Sequence, residues 1–253
     1  MTTKVLLITG GSGKLGQNLI SHFLRKGDTV VFTASSTQSI EMVRENFRDI
    51  NKRLFGIAQD FTQKDFAANI LHQLNAQGLQ PDGLVNNARS LSFLKMEDDG
   101  TVNRENFLNE YLVDVVAPYE LTMALAQAPG SRLRRVVNIG SQYGTVAANP
   151  ALYDDHARQS PIHYSVAKAA LAHLTRELAV RLALDDIQVN CVAFGGFEGR
   201  VDEQFKERYQ KLAPLGRMLR NEEVAGPVDY LLSDMSSGMT GQVVSVDGGW
   251  SIW

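Results

Sequence analysis

The chain has 253 residues, a formal net charge of −3, and 44% hydrophobic against 21% charged residues. That balance is ordinary for a globular α/β protein with a sizeable core, and it argues against nucleic acid or an anionic membrane surface as a partner. A single cysteine, Cys191, excludes an intrachain disulfide framework and points to a reducing compartment. No apolar run reaches the roughly 18 residues of a membrane span. The first strand begins within a few residues of the start, leaving no room for a secretory signal, so the cytoplasm is the expected location.

In chain order, residues 5–9 form an apolar run that reads as a buried strand, and 15–25 reads as a helix. A strand at 29–33 and a helix at about 37–47 follow. Strands continue at 54–58, 83–86, 135–139, 187–193 and 242–246; helices at 105–126, 161–184 and 222–232. Strands this short and continuously apolar are covered on both faces. Cys191 lies in one of them and reads as a small buried hydrophobe. Strand–helix alternation throughout predicts α/β architecture: one Rossmann-type domain over 1–253, a doubly wound parallel sheet flanked by helices.

The turn after the first strand is Thr9-Gly10-Gly11-Ser12-Gly13-Lys14-Leu15-Gly16. A glycine-rich turn between a strand and a helix N-terminus offers free backbone N–H groups and the positive end of the helix dipole to a phosphate. In the first βα unit it marks a dinucleotide site, with Gly10, Ser12, Gly13, Lys14, Leu15 and Gly16 as its residues. A carboxylate about twenty residues on would select NAD by binding the ribose 2′-hydroxyl. Here the second turn carries Ser35 and Ser36, and no carboxylate appears before Glu41. With Lys14 near, this predicts NADP(H) as the preferred cofactor and NAD(H) as the alternative. The competing reading is that these hydroxyls only cap the next helix. Asp60, followed by Phe61, is placed for the adenine ring. Asn87 and Ala88 end the fourth strand at the carboxyl edge of the sheet.

Tyr164-Ser165-Val166-Ala167-Lys168 puts a phenol and an ammonium one helical turn apart. A phenol titrates near 10. An ammonium about 5 Å away at an effective dielectric of 20 favours the phenolate by roughly 3 kcal/mol, bringing Tyr164 towards acid–base work near neutral pH. Ser141 ends the fifth strand and offers a hydroxyl to developing oxyanion charge, although such a serine also caps turns.

Together, Thr9-Gly10…Gly16, Asp60, Asn86-Asn87-Ala88, Ser141, Tyr164 with Lys168, and Val246-Asp247-Gly248-Gly249 resemble the classical short-chain dehydrogenase/reductase family over essentially the whole chain. The resemblance implies an NAD(P)-dependent oxidoreductase. In it Tyr164 is the proton donor or acceptor, Ser141 polarises the substrate oxygen, and Lys168 holds the nicotinamide ribose and lowers the phenol. Four positions depart from the family pattern. Lys14 stands where the motif has glycine, in a Gly-x-x-Gly-x-x-Gly spacing. Asp114 stands where the family has a proton-relay asparagine, which leaves the relay to the backbone carbonyl. Arg89 replaces the glycine of Asn-Asn-Ala-Gly, and Phe194 the proline before Gly195.

Ser141 and Tyr164 lie farther apart than is usual in the family, so 142–163 is an active-site loop insertion. Its polar residues, including Gln142, Tyr143 and Tyr153, point to a polar carbonyl or alcohol substrate. Arg89, Gly195 and Arg200 complete the expected substrate set, the arginines binding carboxylate or phosphate unless they are simply solvated. The loop and the Gly-Gly-Trp-x-x-Trp end also resemble a subgroup tied to bacterial surface glycans and sialic-acid-like sugars. The alternatives are a 3-oxoacyl-carrier or pteridine reductase, and a non-catalytic cofactor sensor. Two long helices with more than one apolar face, and an end with Trp250, Ile252 and Trp253, predict a homotetramer. The tail folding back on its own subunit is the competing reading. No metal constellation is read.

Overall fold

In the computed structural model, which describes residues 3–199 and 201–252, seven strands form one sheet. The strands are β1 (Val5–Ile8), β2 (Thr29–Ala34), β3 (Leu54–Ala58), β4 (Gly83–Asn86), β5 (Arg135–Ser141), β6 (Gln188–Phe194) and β7 (Val243–Val246). Their spatial order is β3-β2-β1-β4-β5-β6-β7, and every pairing is parallel. The order reverses direction between β1 and β4, and such a switch point opens a crevice at the carboxyl ends of the strands.

The helices are α1 (Lys14–Lys26), α2 (Thr37–Asn46), α3 (Phe66–Ala76), α4 (Arg104–Tyr111), α5 (Ala117–Gln127), α6 (His156–Gln159), α7 (Ile162–Arg181), α8 (Glu203–Leu212) and α9 (Ala225–Leu232). Alternation along each strand divides the core between two layers. Leu6, Ile8, Val30 and Phe32 face α1, α2 and α9 through Phe23, Ile40 and Val228. Leu7, Val31 and Leu84 face α3, α5 and α7 through Ile70, Leu121 and Leu178. A third, smaller cluster, Leu152, Tyr209, Ala213, Met218 and Trp250, joins the loop after β5 to α8 and the C-terminal end.

The helix expected over 105–126 is interrupted. Between α4 and α5, Leu112–Val116 forms a π turn, in which the Ala117 N–H reaches the Leu112 carbonyl. Pro118 supplies the cause: it has no N–H to give the Asp114 carbonyl, and its ring crowds that group. Asp114 lies within this turn and is 1% exposed.

Candidate active site

The glycine turn is locked from three strands. Thr9 Oγ1 accepts the N–H groups of Asn87 and Ala88, both at 2.9 Å. The Asn87 amide donates to the carbonyls of Thr9 (2.8 Å) and Gly10 (3.1 Å), and the Gly10 N–H donates to Thr33 Oγ1. Gly10 has φ +66°, and a Cβ there would lie 2.7 Å from the Ala88 Cα. A Cβ at Gly13 would meet only the Gly10 carbonyl, at 3.5 Å, so that glycine leaves its outer side open to a ligand. α1 has no side-chain N-cap and no acidic residue in its first turn. Its N–H groups are therefore unspent and its dipole unopposed, which fits a dinucleotide pyrophosphate.

A cleft of about 1130 Å³ runs from this turn to Tyr164. Gly10, Ser12, Gly13, Lys14, Leu15, Gly16, Ser35, Asp60, Phe61, Asn87 and Ala88 line it. Ser36 does not; its Oγ accepts the Ser39 N–H and caps α2, so here the capping alternative holds. Lys14 lines the cleft, but its Nζ donates to the Glu198 carbonyl beyond β6 and does not turn towards Ser35. The Thr62 backbone N–H, then the Thr62 hydroxyl, hold the Asp60 carboxyl below its ordinary range.

Ser141, Tyr164 and Lys168 meet in the same cleft. β5 ends on Ser141, whose Oγ accepts the Tyr143 N–H at 3.2 Å. α7 carries Tyr164 and Lys168 on one side. Its register is pinned by a buried chain: Asn86 donates to Asn138 (2.8 Å), and Asn138 to Thr175 (2.9 Å). Lys168 Nζ lies 5.7 Å from the Tyr164 ring centroid, and the Arg89 guanidinium stands over the same ring at 5.2 Å.

Lys168 is 6% exposed. Its Nζ donates to the Ile139 carbonyl (3.1 Å) and sits 2.9 Å from Asp114 Oδ2. Burial pulls the ammonium down, but the charges of Asp114 and Tyr164 outweigh it, and the net shift is upward. Lys168 therefore stays charged. The anion in direct contact with this ammonium is Asp114. The Asp114 side chain, grouped with the catalytic residues from its place at the relay position, is here the ion-pair partner of Lys168.

Of the expected substrate residues, Arg89, Gln142, Tyr143, Tyr153 and Gly195 line the cleft; Arg200 lies outside the described residues. The Tyr143 and Tyr153 hydroxyls stand 3.5 Å apart, and burial pushes the Tyr143 phenol well above its ordinary range. Gln142 Oε1 is engaged by the Tyr209 hydroxyl at 3.0 Å. Gly195 has no room for a side chain, because a Cβ would lie 2.8 Å from the Asp247 Cα and 2.9 Å from that hydroxyl.

Tyr209 is the residue that sequence reasoning missed. Its hydroxyl also accepts the Gly196 N–H (2.9 Å), and its ring stacks on Trp250 at 4.5 Å. Trp250 is 5% exposed and packs within its own subunit, which overturns its reading as an intersubunit anchor. The tail is held by Asp247, which accepts the N–H groups of Gly249 and Ser251 and the Ser251 hydroxyl. Trp253 lies outside the described residues.

This site agrees with what the chain resembles. The family model described as Enoyl-(Acyl carrier protein) reductase matches residues 14–251. The 3-oxoacyl-[acyl-carrier-protein] reductase FabG of Pseudomonas aeruginosa is 30% identical over 254 residues, covering 97% of this chain and 96% of that protein. Post-translational flagellin modification protein A of Campylobacter coli is 26% identical over 259 residues, covering all of both. A short-chain dehydrogenase of Leptospira borgpetersenii, solved with bound NAD+, superposes with a TM-score of 0.84 at 28% identity, covering 99% of this chain and 94% of that one. With the glycine turn, Ser141, Tyr164 and Lys168 in one cleft, the chain belongs to the classical short-chain dehydrogenase/reductase family and is an NAD(P)-dependent oxidoreductase.

Proposed function

We propose that the protein reduces or forms a polar, anionic carbonyl compound, such as a sugar or sialic-acid-like derivative, with NADP(H) as the preferred cofactor. The observation that carries this reading is Arg89, whose guanidinium stands over the Tyr164 ring where the family has glycine. A carboxylate or phosphate paired with it would sit beside the catalytic phenol. The Tyr143 and Tyr153 hydroxyls offer further polar partners in the same cleft. The relative named for flagellin modification supports a surface-glycan substrate.

When bound, a nicotinamide would supply or accept the hydride. The chain's own residues handle the oxygen. In the reductive direction the Tyr164 hydroxyl donates its proton to the substrate oxygen, and the Ser141 hydroxyl donates a hydrogen bond to the same atom. Lys168 supplies the positive charge that favours this proton release. The α1 N–H groups and Ser12 would hold the pyrophosphate, and Ser35, with Lys14 released from the Glu198 carbonyl, would receive a 2′-phosphate.

A second reading, reduction of a 3-oxoacyl thioester, has its own support: the FabG relative, and Leu91, Phe93, Leu94 and Met96 on one cleft wall. Turnover of keto-sugar acids, 3-oxoacyl thioesters and pterins with NADPH and NADH separates the readings. Anionic sugars should turn over fastest, and Arg89→Ala should raise their KM about tenfold or more, the worth of one charge-assisted hydrogen bond. Preference for a neutral acyl thioester, with KM indifferent to Arg89, overturns the sugar reading. A homotetrameric, cytoplasmic enzyme completes the proposal.

A further inference from the structure

Behind Tyr164 lies a second carboxyl that the family chemistry does not use. Glu110 is the penultimate residue of α4, four positions before Asp114. Both are 1% exposed. Glu110 Oε1 has no hydrogen-bond partner, and neither Asp114 oxygen receives an aligned donor. The Lys168 ammonium, 2.9 Å from Asp114, is the cation in direct contact.

Two ionised carboxylates and one ammonium would leave a net negative charge in a dry site. A neighbouring carboxylate and the loss of water both disfavour ionised Glu110. One proton on Glu110 restores neutrality. Burial, and after it the negative charge of Asp114, push the Glu110 carboxyl up to about 7, against weaker pulls from Lys168 and Arg89. The other titratable groups on this side belong to α7: Tyr164, and His163, whose Nε2 meets the Phe93 carbonyl and whose ring lies beside Phe107.

We propose that the buried, unpartnered Glu110 carboxyl holds a proton beside the Asp114–Lys168 ion pair, and that Glu110 is thereby a positioning residue, setting the negative charge that faces Lys168 behind Tyr164. With the proton present, Lys168 faces a single net negative charge. When the proton leaves to solvent, a second negative charge opposes the phenolate that forms as Tyr164 gives up its own proton. Reduction is then favoured in the protonated state.

Infrared difference spectra of the whole protein, from about pH 6 to about pH 8, test this directly through the C=O stretch of a protonated carboxyl. The wild type should lose such a band with a midpoint near 7, and Glu110→Gln should lack it. Asp114→Asn removes the like charge and should move the midpoint to lower pH. Lys168→Ala removes the opposing cation and should move it higher. Absence of a protonated Glu110 band at the acid end overturns the proposal, and so does a midpoint indifferent to Asp114→Asn. The latter variant keeps the test decisive if Glu110→Gln does not fold.

Kinetics give the second readout. With whichever carbonyl of the panel above turns over, kcat for reduction should fall about fivefold across this range in the wild type. Glu110→Gln should lose that limb while retaining turnover. A limb unchanged in Glu110→Gln overturns the positioning role. The infrared result stands even if no sugar is a substrate, so failure of the substrate reading and failure of this one are distinguishable.

Discussion

In the proposed mechanism a phenol, a hydroxyl and an ammonium do the chemistry, and the phenol and the ammonium each have a distinct expected failure. Tyr164→Phe removes the transferable proton and should lower kcat at least about a hundredfold with little change in cofactor affinity. Lys168→Ala should depress turnover and cofactor binding together, because it also strands Asp114 as an unpaired buried charge. Near-normal turnover by Tyr164→Phe would refute the assignment. Glu110 makes a separate prediction about stability. Its folded-state value is raised from 4.5 to about 7. Below about pH 4.5 both folded and unfolded chains hold the proton. Between the two values only the folded chain does, so stability declines as pH rises and the loss is complete above about 7. The raised value corresponds to at most about 3 kcal/mol. Glutamine does not titrate. Urea unfolding should therefore show Glu110→Gln gaining on the wild type by up to about 3 kcal/mol between pH 5 and pH 8. A constant difference would mean that this carboxyl is already ionised in the folded protein across the range, as it is in the unfolded chain.

At the level of elements, the proposed preference for the phosphorylated cofactor rests on the helix start at Lys14. Lys14→Ala should weaken NADPH more than NADH in calorimetric titration; equal losses would assign the lysine to its Glu198 contact alone. The strands were legible to within a few residues, because continuous apolar runs with turn residues between them have few other ways to be buried. Tyr164 and Lys168 were legible because four residues of helix fix their relation whatever surrounds them. The π turn was not read, although Pro118 announces it, since a long apolar helix pattern overrides one local breaker. α8 was overlooked although Asp202 caps it through the Phe205 N–H and Phe205, Tyr209 and Leu212 repeat at helical spacing. The burial of Glu110 had no local signal. Its neighbours in sequence are exposed or half-exposed, and it is packing between α4 and α7 that closes over the carboxyl.

On the scale of the whole molecule, apolar surface remains uncovered along two helical faces. Leu108, Tyr111 and Tyr119 on α4 and α5, and Ile162 and Val166 on α7, are each more than a third exposed. Patches of this kind mark contact with another chain. Light scattering at micromolar concentration should give a mass near four times 27.9 kDa, and a clean monomer would remove the oligomer from the proposal. Trp250 belongs to the opposite category. Trp250→Ala should cost about 3–5 kcal/mol of stability, as deletion of a buried aromatic does, without dissociating the assembly. The position of this indole has an optical consequence. It stacks on Tyr209, whose hydroxyl engages Gln142, the residue next to Ser141. Whatever displaces Gln142 on filling the cleft must disturb the ring that Trp250 lies against. Its near-ultraviolet dichroism is thus a built-in reporter of occupancy beside Ser141, readable without any label.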